Sequence, residues 1–167
     1  MTTRHAIALA VLATSLALAG CRDGWKAKTY PAAGRVTVNG VAPEGARVHL
    51  HPLGEKVDQR NSRPWAVVQK DGTFTLSTYE KGDGAPPGNY KVTLRWPFEP
   101  DKPDLGDRLG FAFTEAEASQ WQVTIKDGDN QLAPIEVTGA AVAKERPGKS
   151  ARSAGGAPGA EKGKAGH

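Results

Sequence analysis

The sequence predicts an all-β protein built as an antiparallel sandwich of seven short strands. Apolar and polar residues alternate with a period of two through the middle of the chain, and residues that favour tight turns separate the alternating runs. No amphipathic helical pattern longer than a turn or two is apparent. Alternation places one face of each strand in a core and the other in water, and many short strands with frequent turns are typical of a sandwich.

The first three strands come from the first half of this region. In GRVTVNG, residues 34–40, two valines alternate with arginine and threonine. In ARVHLHP, residues 46–52, alanine, valine and leucine alternate with arginine and histidine, and a third apolar run, WAVVQ, spans residues 65–69. Asn39-Gly40 ends the first strand, because both residue types tolerate the positive φ of a tight turn.

Four more strands follow at hairpin distance. They are TFTLST at 73–78, NYKVTLRW at 89–96, WQVTIKD at 121–127 and APIEV at 133–137. Asp71-Gly72 lies between two apolar runs and therefore predicts that the third and fourth strands pair as an antiparallel hairpin. Pro86-Pro87-Gly88 stops the chain before the fifth strand, and Asp127-Gly128 ends the sixth.

An uncharged segment precedes the strands and contains the single cysteine. Residues 6–20 would form a helix about 22 Å long, which is short of the roughly 30 Å hydrocarbon core of a bilayer. The run ends in Leu18-Ala19-Gly20-Cys21, which resembles the lipobox of bacterial lipoproteins. The resemblance implies that residues 1–20 are a signal peptide, that Cys21 carries acyl chains such as palmitate, and that residues 21–32 are a lipidated N-terminus with a short linker.

This resemblance implies a membrane-anchored, extracytoplasmic protein rather than one that spans the membrane. Each buried methylene of an acyl chain adds roughly 0.8 kcal/mol of membrane affinity, so two or three chains hold a protein that one chain would release. Arg22 stands where an aspartate would resemble an inner-membrane retention signal, which favours the outer membrane.

The excess of positive charge belongs to the C-terminal tail. Residues 22–138 hold 15 Lys and Arg against 16 Asp and Glu, whereas residues 139–167 hold 6 against 2. The tail has no aromatic residue and little apolar surface, so we expect it to be disordered. Nucleic acid is not an expected partner, because the tail offers no ring on which bases stack and the signal directs the protein outward.

The strand and turn motifs together resemble a known domain family. GRVTVNGVAPEGARVHL, QKDGTFTLSTY and PPGNYKVTLRW are similar to the carboxypeptidase regulatory-like, or transthyretin-like, β-sandwich, a variant of the immunoglobulin-like architecture. The resemblance places this domain at residues 33–138 and implies structural roles in turns and core for Gly34, Val36, Gly40, Val48, Gly72, Phe74, Gly88, Tyr90 and Val92. It implies a fold but hardly any function.

The residues of a catalytic site are not recognisable. The hydroxyisourate hydrolases of the transthyretin-like group use clustered histidines with an arginine and end in a tyrosine-arginine-glycine-serine tetrapeptide, and this chain ends in Gly166-His167. It also has no G-x-S-x-G elbow and no H-E-x-x-H helix. We therefore expect no enzymatic activity and no cofactor.

A metal site is the alternative that the histidines suggest. His49 and His51 lie two apart on a strand, so their side chains project from one face about 6.5 to 7 Å apart. The apolar residues around them face the core, which predicts that both histidines face solvent. Two ligands are too few for a structural zinc site, and a carboxylate such as Glu136 or Asp58 would have to complete a weak one.

The segment 97–118 is an unusually long connection for a compact domain and is therefore a candidate functional loop. It either covers one end of the sandwich, with Asp107 and Arg108 tying it down, or forms a binding lip for a glycan or peptide. The candidate ligand-binding residues are Trp65, Trp96, Asp107, Arg108 and Phe111.

These observations favour a lipid-anchored, non-catalytic module for binding, adhesion or scaffolding in the cell envelope. Its expected partners are the membrane and an envelope polymer, a glycan or a protein. The alternative is a metal-binding or carrier protein that uses His49 and His51, and a weaker one is a degenerate hydrolase.

Overall fold

The computed structural model describes residues 24–146, which form eight strands and one 3-10 turn. The strands are β1 (Ala32–Val38), β2 (Arg47–Pro52), β3 (Trp65–Val67), β4 (Thr73–Thr75), β5 (Gly88–Arg95), β6 (Gln122–Ile125), β7 (Asn130–Gln131) and β8 (Ile135–Val137). The predicted all-β sandwich is confirmed, with eight strands instead of seven. The extra strand, β7, has two polar residues and hence no alternation to reveal it. None of the described residues belongs to a helix with the length and apolar character of a membrane span.

The first sheet, sheet 1, is organised around β1. This strand pairs antiparallel with β4 on one side. On its other side it pairs parallel with β7 along its first residues and with β8 along its last three. Val36 and Val38 stand opposite Ile135 and Val137, and these four side chains are buried. The parallel pairing was not predicted, because alternation shows which face of a strand is buried but not which strand lies beside it.

The second sheet, sheet 2, has the order β3-β2-β5-β6 and is antiparallel throughout. β2 and β5 form its longest ladder, with Val48 opposite Leu94 and Leu50 opposite Val92. These apolar side chains face sheet 1, so the intervening polar residues lie on the outer face of sheet 2.

The chain turns at Asp71-Gly72 as predicted, but β3 and β4 enter different sheets. The turn is closed by hydrogen bonds from Gln69 N to Thr73 O and from Gly72 N to Gln69 O. β3 then pairs with β2, and β4 pairs with β1. The predicted antiparallel ladder between them is therefore wrong, except for a single bridge in which Trp65 and Ser77 exchange two hydrogen bonds of 2.9 Å.

The core fills the space between the two sheets. Its largest fully buried side chains are Tyr90, Phe74, Leu50, Leu76, Leu94 and Ile125. Tyr90 brings a polar group into this apolar region, and its hydroxyl donates a 2.7 Å hydrogen bond to Pro86 O. The turn before β5 is thereby tied to the core by the side chain of β5 itself.

Both ends of the packed domain extend beyond the predicted boundaries of 33–138. At the N-terminal end, Trp25 packs edge-on against Tyr79 with ring centroids 5.4 Å apart, inside the segment predicted as a linker. At the other end, Ala140 and Val142 pack against the core, inside the segment predicted as a disordered tail. The predicted signal peptide, the predicted lipidation site Cys21 and residues 147–167 lie outside the described residues.

The long loop, residues 97–118, lies across the outer face of sheet 2. Arg47 and Arg95 are directly opposed on β2 and β5, and they donate hydrogen bonds to Pro100 O at 3.3 Å and to Pro103 O at 2.6 Å. The loop contains the 3-10 turn Pro103–Leu105. Thr93, on the outer face of β5 between the two histidines of β2, is only 4% exposed.

Candidate functional site

Asp107 holds the long loop together from inside. Its side chain is 5% exposed. Oδ1 accepts hydrogen bonds from Trp96 N at 2.8 Å and Leu109 N at 3.2 Å, and Oδ2 accepts one from Phe111 N at 2.9 Å. All of these donors are backbone amides of the loop or its flank. The geometry therefore assigns Asp107 to tying the loop down, the first of the two predicted roles.

Arg108 fastens the same loop to neighbouring segments. Its guanidinium donates hydrogen bonds of 3.3 Å to Phe98 O and to Lys144 O, and it lies over the Trp96 and Phe98 rings. Trp96 is half-buried and donates from Nε1 to Glu44 O at 3.0 Å. These side chains are engaged in holding loop segments together, which leaves them little capacity to contact a ligand.

Phe111 differs from the other predicted residues of the loop. Its ring is 50% exposed, and the Arg95 guanidinium lies 5.2 Å from the ring centroid. Its backbone has a positive φ of 62°, a conformation that the hydrogen bond from its N–H to Asp107 supports. The structure thus brings Trp96, Asp107, Arg108 and Phe111 together in one loop, of which Phe111 presents an exposed ring.

Trp65 lies apart from the loop, on the edge strand β3, and it is 40% exposed. It borders a groove of about 690 Å³ between β3 and the segment that follows β4. None of the other predicted ligand-binding residues lines this groove. Polar groups that line it are Gln69, Thr75, Ser77, Thr78, Tyr79, Glu80 and Lys81.

Asp83 fixes the wall of the groove. Its carboxylate accepts hydrogen bonds from the backbone N–H groups of Thr78 at 2.7 Å, Tyr79 at 3.0 Å and Glu80 at 3.1 Å. Ser77 Oγ accepts another from Gly82 N at 2.8 Å. The wall is therefore a closed turn with its amide groups satisfied, and it holds its side chains in fixed positions beside Trp65.

Tyr79 joins this wall to the N-terminal segment. Its hydroxyl donates a 2.7 Å hydrogen bond to Asp58 Oδ2 and accepts one of 3.0 Å from Ala27 N. Burial, together with the hydrogen bond to Asp58, raises the pKa of Tyr79 to about 12, so the phenol stays neutral. Burial would raise the pKa of Asp58, but hydrogen bonds from Ser62 and Tyr79 outweigh it and lower that pKa to about 2.

The two histidines share the outer face of β2, as predicted, and both are half-buried there. His51 Nε2 is 2.9 Å from Thr93 Oγ1, and His49 is directly opposite Thr93 on β5. Burial lowers the pKa of His49 to about 4, and the nearby charges of His51 and Arg47 add to the effect. The predicted orientation toward the solvent side of the strand is therefore seen, with part of each ring covered by its neighbours.

A metal ion bound by His49 and His51 would have no third protein ligand in the described part of the chain. Within residues 24–146 no group of three or more histidine, cysteine, aspartate or glutamate side chains is placed to hold an ion. The neutral imidazoles are in the protonation state that metals bind. The carrier alternative therefore has two ligands on β2, and it stays a prediction.

Comparisons with known proteins assign neither a family nor a function. No family model matches the chain, and no curated protein matches it. A solved structure that does match is the crystal structure of a DUF3823 family protein from Parabacteroides merdae ATCC 43184. The identity is 20% and the TM-score 0.40, and the match covers 70% of this chain and 48% of that one. The chain thus spans less than half the length of that structure.

Proposed function

We propose that the protein is a lipid-anchored, extracytoplasmic β-sandwich that binds a glycan of the cell envelope without catalysing a reaction on it. The observation that carries the proposal is the exposed Trp65 ring beside a groove of about 690 Å³ whose wall is held rigid. This volume lies within the usual range of small-molecule sites.

The chemistry of the groove suits a neutral sugar. An indole ring offers a flat apolar face against which the C–H groups of a pyranose pack. Thr75 and Ser77 carry hydroxyl groups and Gln69 carries an amide, all of which can both donate and accept hydrogen bonds, as sugar hydroxyls require. The Trp65 indole would thus select for a pyranose ring, and the polar side chains would select for the arrangement of its hydroxyl groups.

The same lining does not supply glycosidase chemistry. Hydrolysis of a glycosidic bond ordinarily needs two carboxyl groups on opposite sides of the scissile bond. Glu80 is the only carboxylate among the residues that line the groove. Binding without turnover is therefore the activity that this arrangement supports.

The lipid anchor rests on the lipobox-like sequence that ends at Cys21. Trp25 is four positions after Cys21, and this stretch of chain spans at most roughly 14 Å. An acylated Cys21 would thus keep the Trp25 and Tyr79 side of the domain close to the bilayer. Since Tyr79 also lines the groove, a bound glycan would lie near the membrane surface.

Substitution of Trp65 tests the glycan proposal. Isothermal titration with peptidoglycan fragments and with polysaccharide from the native envelope should show that Trp65→Ala weakens binding by about tenfold or more. Phe111→Ala removes a comparably exposed aromatic ring outside the groove and is the matched control. Unchanged affinity in Trp65→Ala, or a loss in Phe111→Ala instead, would contradict the proposal. Mass spectrometry of the native protein tests acylation of Cys21 separately.

A further inference from the structure

A second cleft, which shares no lining residue with the Trp65 groove, lies where the end of β2 meets the long loop. It has a volume of about 430 Å³. One wall is formed by His51 and the residues after it, another by Arg63 ahead of β3, and a third by Lys91 of β5 and Glu117 of the long loop. Four separate stretches of the chain thus converge on it.

Positive charge is concentrated in this cleft. Lys56, Arg63 and Lys91 line it, against a single carboxylate, Glu117. The surrounding chain has no such excess, since residues 22–138 hold 15 Lys and Arg against 16 Asp and Glu. The cleft is therefore a local cationic site on a domain that is close to neutral.

Most of the hydrogen-bonding capacity of these cations is left for a ligand. Lys91 Nζ donates one hydrogen bond, to Ser119 O at 2.8 Å, so two of its N–H groups remain. The side chains of Lys56 and Arg63 are exposed and make no hydrogen bond or ion pair with another residue of the described range 24–146. An arginine fork, two ammonium groups and a partly open cavity are the elements of an oxyanion site.

His51 reports on the charge in the cleft. Its Nε2 contacts Thr93, while Nδ1 has no hydrogen-bond partner among residues 24–146. Burial lowers the pKa of His51, and the Arg63 charge lowers it further, whereas Glu117 and Glu115 on the long loop raise it. A bound anion would add negative charge and so shift the His51 pKa upward.

We propose that this cleft binds a phosphate group, either as free phosphate or as the phosphate of a sugar. Arg63 would hold two phosphate oxygens with its planar guanidinium, and Lys56 and Lys91 would supply point charges around it. A phosphorylated saccharide fits the volume of the cleft better than the bare ion.

Calorimetry on the full chain in non-ionic detergent, at neutral pH and constant ionic strength, tests this proposal. The probes are inorganic phosphate, glucose 6-phosphate and glucose. We expect both phosphates to bind and glucose not to bind at this cleft, with the ratio of the two phosphate affinities distinguishing the free ion from the sugar-borne group. Arg63→Gln should weaken phosphate binding by about tenfold or more, since it removes the bidentate pair.

Lys70→Gln is the matched control, because Lys70 is an exposed cation that does not line the cleft. It should leave phosphate affinity within about twofold of the parent, because salt largely screens the effect of an exposed charge outside the cleft. NMR spectra of the imidazole rings supply a second readout, in which phosphate should raise the pKa of His51 more than that of His49. Equal losses in the Arg63 and Lys70 variants, or no effect on His51, would overturn the proposal.

Discussion

Removing the Asp107 side chain should unfasten the long loop and destabilise the domain. The carboxylate accepts three backbone hydrogen bonds at 2.8, 3.2 and 2.9 Å. In Asp107→Ala the amides of Trp96, Leu109 and Phe111 all lose their partner. In Asp107→Asn the amide oxygen can take the place of Oδ1 and keep the hydrogen bonds from Trp96 N and Leu109 N. The new NH₂ group then faces the Phe111 N–H, and because both groups are donors that hydrogen bond is lost.

The expected cost follows from the burial of those donors. A hydrogen bond to a charged group contributes about 1.5–3 kcal/mol, and a buried donor left unsatisfied costs a similar amount. Leu109 is 4% exposed, so its amide has little access to water, whereas Phe111 is 50% exposed and can become hydrated. We therefore expect losses of about 3–5 kcal/mol for Asp107→Ala and about 1.5–3 kcal/mol for Asp107→Asn.

Urea unfolding followed by far-ultraviolet circular dichroism and tryptophan fluorescence measures both losses. Asp104→Ala is the control, because Asp104 is an exposed carboxylate in the same loop and makes no side-chain hydrogen bond within residues 24–146. If Asp107→Ala lies within about 0.5 kcal/mol of Asp104→Ala, the change expected of a surface substitution, the assignment of Asp107 as the support of the loop is wrong.

Three further predictions concern Asp58, the core residue Tyr90 and Gly84. Asp58 has a pKa of about 2 in the folded protein against an ordinary 3.8, so its stabilising contribution is present above about pH 3.8 and is lost as the pH falls through about 2. In acid unfolding curves, the destabilisation caused by Asp58→Asn should therefore vanish over that pH interval. A difference in stability that does not depend on pH would contradict the lowered pKa. Tyr90→Phe leaves the buried Pro86 carbonyl without its 2.7 Å donor and should cost about 1–3 kcal/mol in urea unfolding, with a smaller change indicating that water replaces the hydroxyl. A Cβ on Gly84 would lie 1.8 Å from Tyr30 O, whereas a Cβ on Gly82, which has a similar positive φ, would have nothing within 4 Å. Thermal melts should therefore show Gly84→Ala to be less stable than Gly82→Ala by about 2 kcal/mol or more. Equal losses of stability in the two variants would exclude the close approach of Gly84 to Tyr30.

The strands could be predicted because burial imposes a period of two on their sequences. β2 and β5 show this most clearly, since Val48, Leu50, Val92 and Leu94 are all at most 1% exposed at the alternating positions. The neighbours of each strand could not be predicted, because pairing depends on how the whole chain packs. The turn at Asp71-Gly72 shows the difference, for the local turn forms while its two strands enter separate sheets.

The candidate site was predictable only where a single residue carried the signal. Trp65 could be named in advance as a stacking face, but its position on β3, apart from the long loop it was expected to serve, could not. The roles of Asp83 and Tyr79 could not, because the turn that Asp83 closes and the contact of Tyr79 with Asp58, 21 residues away, exist only in the folded chain. The cleft at His51 was missed for the same reason, since Lys56 and Arg63 come from the connection between β2 and β3 while Lys91 comes from β5.

The distribution of satisfied polar groups separates scaffold from binding surface. In the long loop, the side chains of Asp107 and Arg108 form hydrogen bonds with backbone groups. Arg47 and Arg95 donate hydrogen bonds that hold the loop against sheet 2. Along the β3 edge the wall is closed by its own turn, while the exposed Trp65 ring and the Thr75 hydroxyl border the groove and make no side-chain hydrogen bond within the described residues 24–146. A ligand can gain free energy only from groups that the fold has not already paired. Binding is therefore expected at the β3 edge and in the cationic cleft, whereas Asp107 and Arg108, the most conspicuous candidates in the long loop, are engaged in holding that loop in place.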